Sequence, residues 1–138
     1  MKITLFNCAW TNRGDEAAFR SMAEELRRIY PNVRFNLVTH GEKIYNQFPY
    51  SEDFVKIFSL KHITRRNIID IPFLILSRGR FALNKNMREL ISVIQNSDFV
   101  FHNPGGPSMG DLYKYMQIPS YYKFIITRLL KKPYLFNA

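Results

Sequence analysis

Two short loops constrain this chain more than any other stretch of it. Asn12-Arg13-Gly14-Asp15 and Asn103-Pro104-Gly105-Gly106-Pro107-Ser108-Met109-Gly110-Asp111 each follow a short apolar run of strand type, and each ends in an aspartate that opens a helical pattern. In an open α/β sheet such loops stand at the carboxyl ends of the strands, where ligands bind. Two on one chain point to one wall of a crevice.

The intervening pattern supports that architecture. Lys2–Cys8 reads as a first strand. Asp15–Tyr30 reads as a helix, with Phe19, Met22, Ala23, Leu26, Ile29 and Tyr30 recurring at helical spacing and Pro31-Asn32 ending it. Val33–Thr39 and Val55–Leu60 read as strands, with an irregular aromatic stretch, Ile44–Phe54, between them. Asp70 is placed to cap a helix that has Pro72 in its first turn and ends at Gly79. Asn84 precedes a second helix with Met87, Leu90, Ile91 and Ile94 on one face. Asp98–His102, apolar in alternating and intervening positions alike, suits a strand buried on both faces of a parallel sheet. A helix is expected to start at Asp111–Met116, break at Pro119 and resume over Ser120–Lys132, with Pro133–Asn137 as a last strand.

Strands alternating with helices predict an α/β fold, a Rossmann-like parallel sheet with helices on both faces. A chain of 138 residues suffices for one such core, so residues 1–138 are expected to be a single domain. The apolar runs are too short to span a bilayer, and the amino terminus lacks the apolar core and cleavage site of a secretory signal, which points to a cytoplasmic protein. A single cysteine, Cys8, excludes an internal disulfide and a cysteine-rich zinc site.

Charge is strongly unbalanced. The net charge is +9, and between Phe54 and Arg88 eight basic side chains (Lys56, Lys61, Arg65, Arg66, Arg78, Arg80, Lys85, Arg88) stand against Asp70 alone. Such a segment is either a solvated basic face or a surface for an anionic partner. Within it, Ile68–Phe81 interleaves Phe73, Leu74, Ile75, Leu76 and Phe81 with Arg78 and Arg80, a mixture that suits a membrane interface as well as a buried helix with a basic end.

The loops carry the chemistry. In the first, Gly14 allows a tight turn and Asp15 stands at a helix start, where it either caps the helix or presents a carboxylate to a ligand. In the second, Gly105 and Gly106 let backbone approach a ligand closely, Ser108 offers a hydroxyl, and Asp111 opens the next helix. Neither loop is a dinucleotide-binding Gly-x-Gly-x-x-Gly or a Walker loop. His102, at a strand end, either faces the cleft or is satisfied by its surroundings, and no metal site is visible.

Asn12-Arg13-Gly14-Asp15-Glu16-Ala17, followed by Ser97-Asp98-Phe99-Val100-Phe101-His102-Asn103-Pro104-Gly105-Gly106 and on to Asp111, resembles the amino-terminal half of the polysaccharide pyruvyl transferase family. The second loop has Pro104-Gly105-Gly106 where the family's usual version carries three glycines. The resemblance implies the amino-terminal half of a GT-B fold, two Rossmann-like domains facing across a cleft. It also implies transfer of a pyruvyl group from phosphoenolpyruvate, as co-substrate and with no further cofactor, to two sugar hydroxyls. Asp15 becomes the candidate catalytic acid or base. Asn12, Gly14, Gly105, Gly106, Ser108 and Asp111 become candidate contacts to a saccharide acceptor, itself lipid-linked if the Lys56–Arg88 segment meets an anionic membrane. The donor would be held by a carboxyl-terminal domain beyond this sequence. A nucleotide-sugar glycosyltransferase of the same half-fold is the alternative, and a non-catalytic basic binding module the third reading. The third is disfavoured because no nucleic-acid recognition motif is present, and Tyr113, Tyr115, Tyr121 and Tyr122 fit helix faces.

Overall fold

A computed structural model of the chain describes residues 1–6, 13–39, 54–59, 63, 65–102 and 117–136. Its elements are β1 (Lys2–Phe6), α1 (Arg13–Ile29), β2 (Arg34–Thr39), β3 (Phe54–Ser59), a 3₁₀ turn (Arg65–Ile69), α2 (Asp70–Leu76), α3 (Lys85–Gln95), β4 (Phe99–His102), α4 (Gln117–Leu129) and β5 (Tyr134–Phe136). The five strands form one sheet in the order β3-β2-β1-β4-β5, and every pairing is parallel. The fold is therefore α/β, as the alternation of elements predicts.

Each face of the sheet has its own core. On one face α1 lays Phe19, Ala23 and Leu26 against Ile3, Leu5, Phe35 and Leu37. On the other, Phe6, Val38 and Val100 meet Leu74 of α2, Met87, Leu90, Ile91 and Ile94 of α3, and Tyr122 and Ile126 of α4. Period-two alternation along each strand sends successive side chains to opposite faces, so β1 buries Ile3 and Leu5 one way and Phe6 the other. β4 departs from the expected two-sided burial. Val100 and His102 are buried beneath α4, but Phe99 and Phe101, on the α1 face, are only partly covered.

A polar layer lies inside the second core. Thr4 of β1 and Asn36 of β2 are register partners, and both reach Ser97 just after α3. Thr4 Oγ1 and Ser97 Oγ are 2.5 Å apart, Asn36 Nδ2 donates to Ser97 Oγ at 3.2 Å, and Ser97 Oγ donates to Val93 O at 2.8 Å. The Val93 carbonyl belongs to the last turn of α3, where helix carbonyls lack intrahelical partners. Nearby, Asp98 N donates to Lys2 O and Lys2 N to Asp98 Oδ2, while Lys132 Nζ donates to Ser97 O. The amino-terminal edge of the sheet is thus fastened by structural bonds.

Three local expectations are corrected. Asp70 does not cap its own helix; α2 continues from the 3₁₀ turn, and the carboxylate accepts instead from the backbone N–H groups of Leu83 and Asn84. Gly79 follows the end of α2 at Leu76 by three residues, closing a six-to-one bond from its N–H to Leu74 O at φ +79°. Pro119 does not interrupt a helix but sits in the first turn of α4, where its missing N–H removes no intrahelical bond. The helix expected to begin at Asp111–Met116 lies outside the described residues.

Candidate functional site

β1 and β4 are neighbours in the sheet, and their last residues, Phe6 and His102, are register partners. From β1 the chain leads to α1 on one face; from β4 it leads to α4 on the other. The boundary between β1 and β4 is therefore the switch point of the sheet, where the following helices diverge to opposite faces, the place at which open α/β sheets bind their ligands. Both sequence-predicted loops belong to segments that leave this one place.

Gly14 is exposed in the first turn of α1. Asp15 occupies the next position, inside that first turn rather than ahead of it, where unpaired N–H groups and the helix dipole favour a negative charge. Its side-chain placement lies outside the description. Asn12, Gly105, Gly106, Ser108 and Asp111 also lie outside the described residues.

Directly beneath the strand ends is a group the sequence reading passed over. Lys123, on the inward side of α4, is fully buried, with Nζ 5.1 Å from the centre of the Phe6 ring. A cation over an aromatic face is attracted by the ring quadrupole, more strongly where water is excluded. His102 Nδ1 lies 2.8 Å from the Tyr134 hydroxyl, and its ring stacks on Phe124 with centroids 6.2 Å apart. Phe124 and Tyr134 in turn meet at 5.1 Å, and Phe6 and Tyr134 at 6.2 Å. Burial raises the Tyr134 phenol well above its ordinary range, so it remains protonated and can act as donor to the imidazole. His102 is thus held by the Tyr134 phenol and the Phe124 ring.

These contacts fix the final residues of both central strands, from which the predicted loops depart. Lys123 and His102 pack the carboxyl-terminal edge of the two central strands. The signal for Lys123 was present in the sequence: it lies three positions before Ile126 and four before Thr127, on the inward side of α4. Among the described residues there is no group of three or more histidine, cysteine, aspartate or glutamate side chains able to hold a metal ion.

No family model, curated protein or solved structure matches the chain.

Proposed function

We propose that this chain forms the acceptor side of a polysaccharide pyruvyl transferase, the amino-terminal half of a GT-B-like enzyme. The observation that supports the reading is the pairing of Phe6 with His102, because it sets the strands that precede the two motif-bearing segments side by side at the switch point. In this reading Asp15 accepts the proton of an acceptor hydroxyl as its oxygen bonds to C2 of phosphoenolpyruvate, while C3 takes up a proton and becomes a methyl group. A second sugar hydroxyl then displaces inorganic phosphate and closes the ketal. Asn12 and Gly14 shape the Asp15 loop, and Gly105, Gly106, Ser108 and Asp111 line the acceptor side. A second domain supplies the donor site. The chemistry needs a carboxylate aimed at a hydroxyl, and the first turn of a helix is suited to orient one.

The test supplies the protein carrying this chain with polysaccharide and glycolipid fractions and either phosphoenolpyruvate or nucleotide sugars. Phosphate release with phosphoenolpyruvate, together with acid-labile pyruvate on the saccharide, is the expected result. Turnover only with a nucleotide sugar would replace this reading with the glycosyltransferase one. Asp15→Asn is expected to lower turnover by about 10²–10⁴-fold and leave the thermal midpoint unchanged. Full activity in that variant would reduce Asp15 to a helix-start residue.

A further inference from the structure

The region between β3 and α3 exposes more aliphatic surface than a free solvated face requires. Ile68 is 66% exposed, Ile69 61%, Ile75 57% and Leu76 83%, and Phe81 and Leu83 are exposed beside them. Along α2, Asp70 and Leu74 point into the protein, which turns Pro72, Ile75 and Leu76 outward, in line with Ile68 and Ile69 at helical spacing. The segment 81–83 is bound back along α2 at three points. Asp70 Oδ1 accepts from Leu83 N at 2.6 Å, Ser77 Oγ accepts from Phe81 N at 2.9 Å, and the Phe73 and Phe81 rings meet edge-on at 6.2 Å. The apolar surface is a built, two-segment platform.

Basic side chains interleave with it along the chain. Arg66, Arg78, Arg80 and Lys85 are exposed, Arg88 is exposed with its guanidinium donating to Ala82 O and Leu83 O, and Asp70, the sole acid between Phe54 and Arg88, is buried and bonded to backbone. We infer that this platform docks on an anionic lipid bilayer, with Ile68, Ile69, Ile75 and Leu76 entering the headgroup–acyl boundary and the arginines meeting lipid phosphates. Apolar insertion and attraction to anionic headgroups act together at such surfaces. α2 has seven residues, about 10 Å of helix, which suits lying in the interface. Among the described residues no helix is long and apolar enough to cross a membrane.

The charge pattern selects lipid over the other occupants. A second copy of this chain docking through the same patch would set one group of cations against another, since a two-fold interface pairs a surface with itself. Nucleic acid would match the cations but leaves the aliphatic side chains without a role, because phosphate contacts use charge and base contacts use rings and hydrogen bonds. The inference does not depend on the transfer reaction, because docking is read without donor or acceptor.

The experiment is sedimentation of the protein with vesicles of phosphatidylcholine, with and without phosphatidylglycerol. Binding to the phosphatidylglycerol vesicles, weakened by salt and far weaker on phosphatidylcholine alone, is expected. Arg66→Gln and Arg80→Gln should each lower partitioning about fivefold. Ile75→Gln/Leu76→Gln should lower it by at least tenfold without moving the thermal midpoint, because both side chains are exposed. Undiminished binding by the apolar double variant would reduce the effect to adsorption of a basic protein and overturn the proposal. So would absence of binding at low salt, equal binding to both vesicles, or self-association that the Ile75→Gln/Leu76→Gln variant abolishes.

Discussion

Asp70 is fully buried, yet it is the only acid in the most basic quarter of the chain. Its carboxylate holds the α2–α3 connection by accepting from Leu83 N at 2.6 Å and Asn84 N at 3.1 Å, with Asn67 Nδ2 donating to its other oxygen at 3.3 Å. Removing such an acceptor strands the donors it served. Asp70→Ala should therefore cost roughly 3 kcal/mol in urea denaturation, while Asp70→Asn, which keeps one carbonyl oxygen toward Leu83 and Asn84, should cost distinctly less. Equal losses in the two variants would show that charge rather than acceptor geometry matters. The same carboxylate adds to the burial that raises the Tyr122 phenol. Tyr134 is raised more strongly, by burial alone, from a model-peptide value of 10.0. Because the unfolded chain ionises its phenols first as pH rises, folding stability is intact below about pH 10 and falls above it. Tyr134→Phe removes one of those titrations, so its thermal midpoint should decline less steeply between neutral and strongly alkaline pH than that of the parent chain. Parallel declines would exclude Tyr134 as a source of the alkaline loss.

At the scale of elements, the end of α2 depends on a close approach. Gly79 is buried at φ +79°, and a Cβ there would lie 2.9 Å from the Leu129 Cβ of α4. A side chain thus meets both left-handed strain and a collision with the neighbouring helix. Gly79→Ala should destabilise by about 2–3 kcal/mol, read as a lower urea midpoint; a loss below that of an exposed helix glycine substitution would mean that α4 yields freely. The sequence marked this glycine as a stop, but not as a packing contact, because close approach is a property of two distant segments. The same limit explains Asp70, whose partners lie thirteen and fourteen residues on. Helix faces were more legible. Phe19, Ala23 and Leu26 in α1, and Met87, Leu90, Ile91 and Ile94 in α3, are inward where their spacing places them, because a helix's buried stripe is set by local period, but Ile29 and Tyr30, expected on the same face of α1, stand exposed at its end. Asn84 likewise caps α3, accepting from Asn86 N at 2.8 Å. Lys123 gave two opposed signals. Its spacing argued inward and its charge outward, and only the Phe6 ring across the sheet decides between them.

At the scale of the molecule, the parallel sheet followed from the strand–helix alternation, but the adjacency of β1 and β4 did not. Strand order is set by which helices cover which face, and here α1 takes one face while α2, α3 and α4 take the other. That division leaves the cationic platform of α2 on the face opposite α1, and it concentrates charge. A net charge of +9 raises the free energy of the compact state through self-repulsion, and expansion relieves it. At low ionic strength the repulsion reaches across the domain; at 0.1 M salt it is screened beyond about 10 Å. Added sodium chloride also weakens favourable pairs, but the Arg28–Glu25 bridge is exposed on both sides and worth only about 0.3 kcal/mol. The net charge of +9 therefore sets the sign expected of the response. The thermal midpoint should rise as sodium chloride is added from low to physiological ionic strength, and the rise should shrink when Arg66 and Arg80 are replaced by glutamine. A midpoint that stays level or falls would mean that attractive pairs offset the clustered cations, and would remove self-repulsion as a support for the proposed anionic partner.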